Sequence, residues 1–589
     1  MSEGSAPAPY GATVSEDDTP IEEAPAVPLV SPAYRSYALV VLLAVYTVNF
    51  LDRQVVTVAL DLRKERRVGD LAEIGPQMVA GYEGLKAWPA ALHLEHAVAT
   101  ARTCYSGKGI VTVEDVARKP EQRDRIAKST YNAGHHTILQ HAHFQFALSN
   151  VSRQFLWSFL HAHPFYNSEQ VSQRYVEVAP DAYAVPPLDG AAREIYERCA
   201  LDQIAAYKRL IEVLHAPAAR EYYRLFPARK KDPRHEKDVK KKAQEIARYV
   251  LPVATFAYLY HTVSGLTLLR YWRLCEQYDA PHESRLVVGE MVAQLLAADP
   301  GFAAILEEPV PLEDTPEHRF FEGRPREEAA SAEFLAEFDR DLDGRVSKLV
   351  GRKPENEALV AQAVREVLGL PRARLDDRAA IEIALHPRDN SHLGETLTVT
   401  TLSKLSRALH HASYTFKKKI SHTADSQDQR HRMTPGSRPI LAAHATTTPD
   451  VIRPALIERS AAAREIFDES MARTYRAISD LRDRGVPYEY AAYLLPNAHA
   501  VRFTESADLI HLHHKLKSRL CYLAQEEIWR ASLDETRQIR EVEPTIGKYL
   551  LPPCGLRLMT TTRPLCPEGD RYCGVPVWKL GIEEYARVI

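Results

Sequence analysis

The sequence predicts an α/β protein in which one helix-rich unit occurs twice. From about Gly69 to Phe302, and again beyond Phe334, apolar residues recur with helical spacing, broken by a few short strand-like runs. Three pairs of segments also return in the same order in the two halves, the mark of a duplication. The length, 589 residues, allows two to four folding units at about 150 residues each. With 45% hydrophobic and 26% charged residues the chain has ample material for a core. A formal net charge of -3 gives no basic field for nucleic acid. Seven scattered cysteines are too few for a secreted disulfide scaffold, and a cytoplasmic location is expected.

Residues 1–33 are rich in Ala, Pro, Ser and acidic residues and predict a disordered tail. Residues 34–66 form an apolar N-terminal segment. Its apolar stretch, Tyr37 to Leu51, is short of the roughly 20 residues that span a bilayer. Within residues 34–61, the run from Val45 to Val55 resembles the first transmembrane helix of major facilitator transporters, but no second span follows it. A fusion or start-site scar, a membrane tether and a buried helix all remain open for it. Residues 68–302 form the first domain. Within it Leu251–Leu269 reads as a buried helix, and the basic run Arg229 to Ala243 as a solvated loop or a phosphate-facing arm. Residues 303–325, rich in Pro and Glu, read as a linker. Residues 326–589 form the second domain, with two amphipathic helices over Phe334–Leu368 and long buried helices over Gly485–Asn497 and Ala507–Leu533.

The repeat is laid out as follows. Ser152-Arg153 through Tyr175 is placed on Ser406-Arg407 through His431. Arg248 to Pro252 is placed on Tyr493 to Pro496, and Ala280 to Arg285 on Ala524 to Arg530. In the first half Gly134-His135-His136-Thr137 leads to His141, then Ser152-Arg153, then Ser172-Gln173-Arg174-Tyr175. In the second, Leu494 to Pro496, Arg519 and Ala524-Gln525-Glu526-Glu527-Ile528 stand in order.

This series of motifs resembles the flavin-dependent thymidylate synthases, in two tandem divergent copies. The resemblance implies an α/β (α+β) fold, with a small mixed sheet flanked by long helices in each copy. It also implies a methyltransferase of dTMP biosynthesis that converts dUMP to dTMP with methylenetetrahydrofolate and reduced FAD, NADPH supplying the electrons. Ser172 and Arg174, with Arg430 and Arg519, would hold substrate; His135, Thr137, His161 and His163 would contact FAD; Arg285 and Arg530 would stand at the reacting centre. The family's Arg-His-Arg signature falls on His161-Ala162-His163 in the first copy and, by the spacing from Ser406, on Thr415-Phe416-Lys417 in the second. There Lys417 would replace an arginine fork with a single prong, and the literal Arg430-His431-Arg432 arrives too late, with Arg430 in the Ser-x-Arg slot. An inactive descendant that binds nucleotide or acts as a scaffold is therefore the competing expectation. The resemblance further implies a homodimer that forms a pseudo-tetramer, in which one copy can supply what its neighbour has lost.

The chemistry asks for such residues. Phosphates of dUMP and FAD need guanidinium forks, and a reduced anionic flavin needs positive charge beside it. Histidines titrating near 6.5 would serve this only partly at pH 7. His135, His136, His141 and His143 have spacing that allows a metal, and His511, His513 and His514 read as a helix face. Cys521, Cys554, Cys566 and Cys573 cluster among Pro, Gly and turn residues and predict a structural zinc site, with disulfides or free thiols as alternatives.

Overall fold

The computed structural model describes residues 93–107, 111–162, 165–277, 279–323, 328–395, 398–587 and 589. The N-terminal tail and apolar segment, with the transporter-like run, lie outside the described residues, as does His163. No helix among the described residues is long and apolar enough to cross a membrane.

The first half runs α1 (His93–Thr103), α2 (Pro120–Asn132), β1 (His143–Ser152), α3 (Arg153–His161), β2 (Tyr166–Gln170), α4 (Gly190–Leu225), α5 (Glu236–Ala247), β3 (Phe256–Ser264), α6 (Gly265–Arg273) and α7 (Pro281–Ala298). The second runs α8 (Glu328–Leu342), β4 (Ser347–Arg352), α9 (Asn356–Leu368), α10 (Asp377–Leu385), β5 (Ser413–Ser421), α11 (His422–Asp428), β6 (Gly436–Ser437), α12 (Ala461–Asp483), β7 (Ala500–Asp508), α13 (Leu509–Arg519), α14 (Glu526–Val542) and α15 (Pro553–Met559). The sheets have the orders β1-β3-β2 and β4-β5-β7-β6. The second is the first with one added edge strand, and the strand pairs in both are antiparallel.

Four strand-to-helix junctions repeat one device. Ser152 Oγ accepts from Phe155 N at 2.9 Å, Ser264 Oγ from Thr267 N at 3.2 Å, Ser421 Oγ from Ala424 N at 3.1 Å and Asp508 Oδ1 from His511 N at 3.0 Å. Each short polar side chain satisfies an orphan amide of the helix that starts there. Along β1 and β5 alternate residues turn inward: Phe144, Phe146 and Leu148 in one, Tyr414, Phe416, Lys418 and Ile420 in the other. Lys418 is tolerated because Glu505 and Glu535 lie 2.8 Å from its ammonium and Asp428 3.2 Å.

The halves meet about a pseudo-two-fold axis. Val253 N donates to Leu495 O and Asn497 N to Leu251 O; Ala254 N donates to Tyr493 O and Ala498 N to Tyr249 O, all at 2.8 Å. The helices α4 and α12 pack across the axis and share one core containing Tyr196, Tyr207, Phe467, Met471 and Tyr493.

Several expected elements change. Leu251–Leu269 is strand β3 followed by α6, not one helix. Phe334–Leu368 contains strand β4 between its two helices. Gly485–Asn497 holds only a short helix, Tyr488–Ala492, and Ala507–Leu533 is the end of β7 and two helices parted by a turn. The linker carries a short helix of its own, Pro316–Phe321.

Candidate active site at the junction of the halves

The capping serines fix the register of the duplication. Glu283 accepts from Ser152 N at 2.8 Å and Ser152 Oγ at 2.6 Å; Glu527 accepts from Ser421 N, and from Ser421 Oγ at 2.6 Å. Each glutamate receives a hydroxyl from the opposite half, Tyr493 to Glu283 and Tyr249 to Glu527, both at 2.6 Å. Ser152 therefore corresponds to Ser421, not to Ser406. Ser406 lies in the 3₁₀ turn before β5, where His136–His141 lies before β1.

This register corrects the placement of the Arg-His-Arg signature. Arg430 stands nine residues after Ser421, as His161 does after Ser152. Arg430-His431-Arg432 thus occupies the signature position of the second half. Thr415, Phe416 and Lys417 are strand residues, and Lys417 pairs with Asp341 at 2.6 Å. The signal was present as a His-Ala-x-aromatic-x-Phe pattern, His141 to Phe146 and His411 to Phe416.

The loop after β2 carries Ser172, Gln173 and Arg174. The ladders pair Ser168 with His261 and Gly436 with Glu505, so the matching stretch in the second half is Ile440-Leu441-Ala442, without serine or arginine. The losses are complementary. The first half keeps Ser-x-Arg and lacks Arg-His-Arg; the second keeps Arg-His-Arg and lacks Ser-x-Arg.

The two kept motifs face the same side of the axis. Arg174 Nη2 donates to Leu523 O at 2.8 Å, and its Nε lies 3.2 Å from Glu245. Arg519 Nε donates to His431 Nε2 at 2.8 Å and its Nη2 to Gln427 O at 2.8 Å. Asn497 Nδ2 bridges Gln173 Oε1 at 3.0 Å and Arg248 O at 2.9 Å, and Arg248 Nη2 donates to Gln525 Oε1 at 3.0 Å. Arg174 and Arg519 line a cleft of about 670 Å³ with Lys242, Tyr175 and Arg587. Arg430 and Arg432 line a second, of about 460 Å³, with Tyr166, Asn167 and Tyr260. Volumes of this size suit small-molecule ligands.

The electrostatics is that of an anion site. Burial lowers Arg153 to about 9, with Arg248 and Arg430 adding like-charge repulsion. Burial lowers Arg519 to about 10; Asp428 opposes this, while Arg430 and Arg174 reinforce it. Burial would raise the Glu245 carboxyl, but Arg174, Lys242, Arg248 and Arg587 outweigh it and hold it at about 2. Six arginines from both halves thus crowd one region with few carboxylates between them, an arrangement that a polyanion relieves.

The mirror position holds a cleft of about 490 Å³ lined by Trp157, His161, Arg270 and Arg438, of which Arg438 is already paired with a carboxylate. Asp425, fully buried, accepts from Trp157 Nε1 at 2.7 Å and from Arg438 Nη2 at 2.8 Å. His161 gives Nδ1 to the Trp157 carbonyl at 2.7 Å, and burial pushes it down to about 4. A neutral imidazole beside a carboxylate offers a phosphate no fixed positive charge.

Four other expected residues stand away from both clefts. Arg285 is 60% exposed and pairs with Glu276. Arg530 is 46% exposed and pairs with Glu526 at 2.6 Å. His135 and Thr137 are exposed on the turn before β1. Ser172 Oγ accepts from Arg174 N at 3.3 Å and shapes the loop that presents Arg174. Sequence reasoning missed Gln173, Arg248, Asn497, Gln525 and Arg587, whose roles follow from contacts across the axis. Of the histidines, His410 and His511 both turn Nδ1 to Asp508, at 2.9 and 2.8 Å, and are satisfied there.

Comparison with known proteins identifies the family. The family described as thymidylate synthase complementing protein matches residues 92–301 and again 348–545, more than two thirds of the chain. The chain belongs to this family. The flavin-dependent thymidylate synthase of Geobacter sulfurreducens is 32% identical over 170 residues, 28% of this chain and 70% of the relative. That of Clostridium tetani is 28% identical over 205 residues, 34% of this chain and 76% of the relative. That of Sulfolobus acidocaldarius is 30% identical over 152 residues, 25% of this chain and 56% of the relative. The two family matches bracket the two sheets, and the thymidylate synthase complementing fold is thus present twice in one chain.

Proposed function

We propose that the chain is a flavin-dependent thymidylate synthase that methylates dUMP, with one reaction centre per chain assembled from both halves. The observation that carries this is that Arg174 from the first half and Arg519 from the second line one cleft, with Arg430 near enough to Arg519 to act on its charge. In this reading Arg174 and Arg519 take the dUMP phosphate, and Arg430 and Arg432 the FAD side. The surplus of buried guanidinium groups over carboxylates fits both anions.

Bound reduced FAD would supply the hydride, with the methylene drawn from methylenetetrahydrofolate and the electrons from NADPH. The chain's own work is charge and position. Arg519, at about 10, stays protonated at neutral pH and is a permanent cation. His431, forced neutral by burial and then by Arg519 and Lys515, accepts from Arg519 and fixes its fork. Gln525, held by Arg248, Tyr249 and Gln427, is a fixed amide at the edge of this network. Such preorganised donors need no rearrangement when charge develops.

The inactive-descendant alternative rested on an Arg-His-Arg missing from both halves, and the corrected register removes that ground. Two chains would complete the four-domain assembly that the family resemblance implies. The test is the visible spectrum of the purified protein with added FAD and dUMP. Near-stoichiometric flavin absorbance perturbed by dUMP is expected; a protein that takes up no FAD would end the proposal.

A further inference from the structure

We infer that Cys521, Cys554, Cys566 and Cys573 bind one structural zinc ion, and that this clamp holds the C-terminal tail so that Arg587 faces the anion cleft.

All four thiols are free and line one void of about 20 Å³, room for a single atom-sized guest. The other walls include Pro552, Pro553, Tyr522 and Trp578, so nothing but the thiols offers a soft ligand for a metal. Four thiols around one small void are a donor set that a divalent cation gathers, with release of protons. They are not drawn into contact: among the described residues the one trio of potential ligand atoms all within 4.8 Å is His410, Asp508 and His511. Ligation at about 2.3 Å therefore asks the side chains to turn inward. Cys566 and Cys573 are free to do so, since they lie outside helices and strands.

The position of the cluster gives it a purpose. Three of the cysteines lie beyond residue 545, where the family match ends. After α15 the tail has no regular structure except short 3₁₀ turns and holds to the core through Val577, Ile582 and Tyr585, and a staple adds to that hold. Cys521 anchors the cluster to the turn after α13, two residues from Arg519. The tail then returns: Ala586 N donates to Tyr522 Oη at 3.0 Å, and Arg587 Nη1 to Ala524 O at 2.6 Å. Arg587 Nε and Nη2 are buried without a hydrogen-bond partner, in the cleft shared with Arg174 and Arg519. The zinc assignment stands apart from the function proposed above; the role of Arg587 rests on it.

The test is elemental analysis of the purified full-length protein. About one zinc per chain is expected, lost in Cys554→Ser and in Cys573→Ser. Limited proteolysis of these variants should cut the tail while the remainder stays folded by circular dichroism. Arg587→Ala should keep its zinc and bind dUMP about 10-fold more weakly, the loss of one charge-assisted contact. Wild-type protein without zinc, or with iron in its place, or with all four thiols reacting freely in the native state, would overturn the assignment. Zinc present with no dUMP binding would leave the clamp standing and remove the function. Zinc present with Arg587→Ala binding dUMP normally would remove only the role of Arg587.

Discussion

At the scale of single residues, function rests on which arginines are matched and which are not. Arg438 is held by a fully buried carboxylate; Arg174 gives one donor to a carbonyl while its Nε faces Glu245, and Arg519 spends a donor on a carbonyl and keeps its charge for a ligand. Replacing Arg174 or Arg519 by alanine should each weaken dUMP binding about 10- to 100-fold, read by calorimetry, since a hydrogen bond to a charged group contributes about 1.5–3 kcal/mol. Arg285→Ala and Arg530→Ala should change it less than two-fold. His261 gives a stability prediction. It is fully buried among Phe159, Tyr166 and Tyr271, and burial, then Arg432, pushes it down to about 3. Its folded pKa lies below the unfolded value of about 6.5. Its share of stability is therefore whole above pH 6.5 and lost as pH falls towards 3. His261→Phe should relieve about 2 kcal/mol at pH 5 and almost nothing at pH 7.5. Urea denaturation at the two pH values checks it, and an equal effect at both would refute it. Arg174 and Arg519 can be picked out in the sequence because motif spacing points to them, and the four cysteines because they gather late in the chain. Gln173, Arg248 and Asn497 cannot, because their partners lie in the other half.

At the scale of elements, the duplication explains both what could be read and what was misread. Long helices such as α4 and α12 carry many turns of apolar periodicity and stand out. Strand β3 did not, because Tyr258 and Tyr260 occupy its solvent face, 57% and 60% exposed, and make an alternating strand look uniformly apolar. The slip of register had a similar origin. Ser406-Arg407 copies the letters of Ser152-Arg153, whereas Ser421-His422 copies their place at the end of a strand, and only the strand pairing separates the two. The second sheet also buries a charge network that the first lacks. Lys418→Ala would leave Glu535, Glu505 and Asp428 with Lys515 as the remaining buried lysine among them. The expected loss is about 3–5 kcal/mol, seen as a lowered midpoint in thermal or urea unfolding.

At the scale of the whole molecule, the pseudo-two-fold axis lets one chain do what separate subunits would otherwise share. The Tyr–Glu–Ser relays are reciprocal, so Tyr249→Phe and Tyr493→Phe should cost similar stability, about 1–3 kcal/mol each. Their effects on the site should differ, because only Tyr249 also touches Gln525. One side of the axis has kept Arg430, Arg432 and Arg519, and the other pairs Arg438 with the buried Asp425 beside Trp157. The measurement that tests this most directly is a calorimetric titration of the FAD-loaded protein with dUMP, in wild type, Arg174→Ala and Arg519→Ala. A single composite site predicts about one dUMP per chain, with each variant weakening that same site although the two residues lie in different halves. Two sites per chain, or two variants that each remove half of the binding, would contradict it.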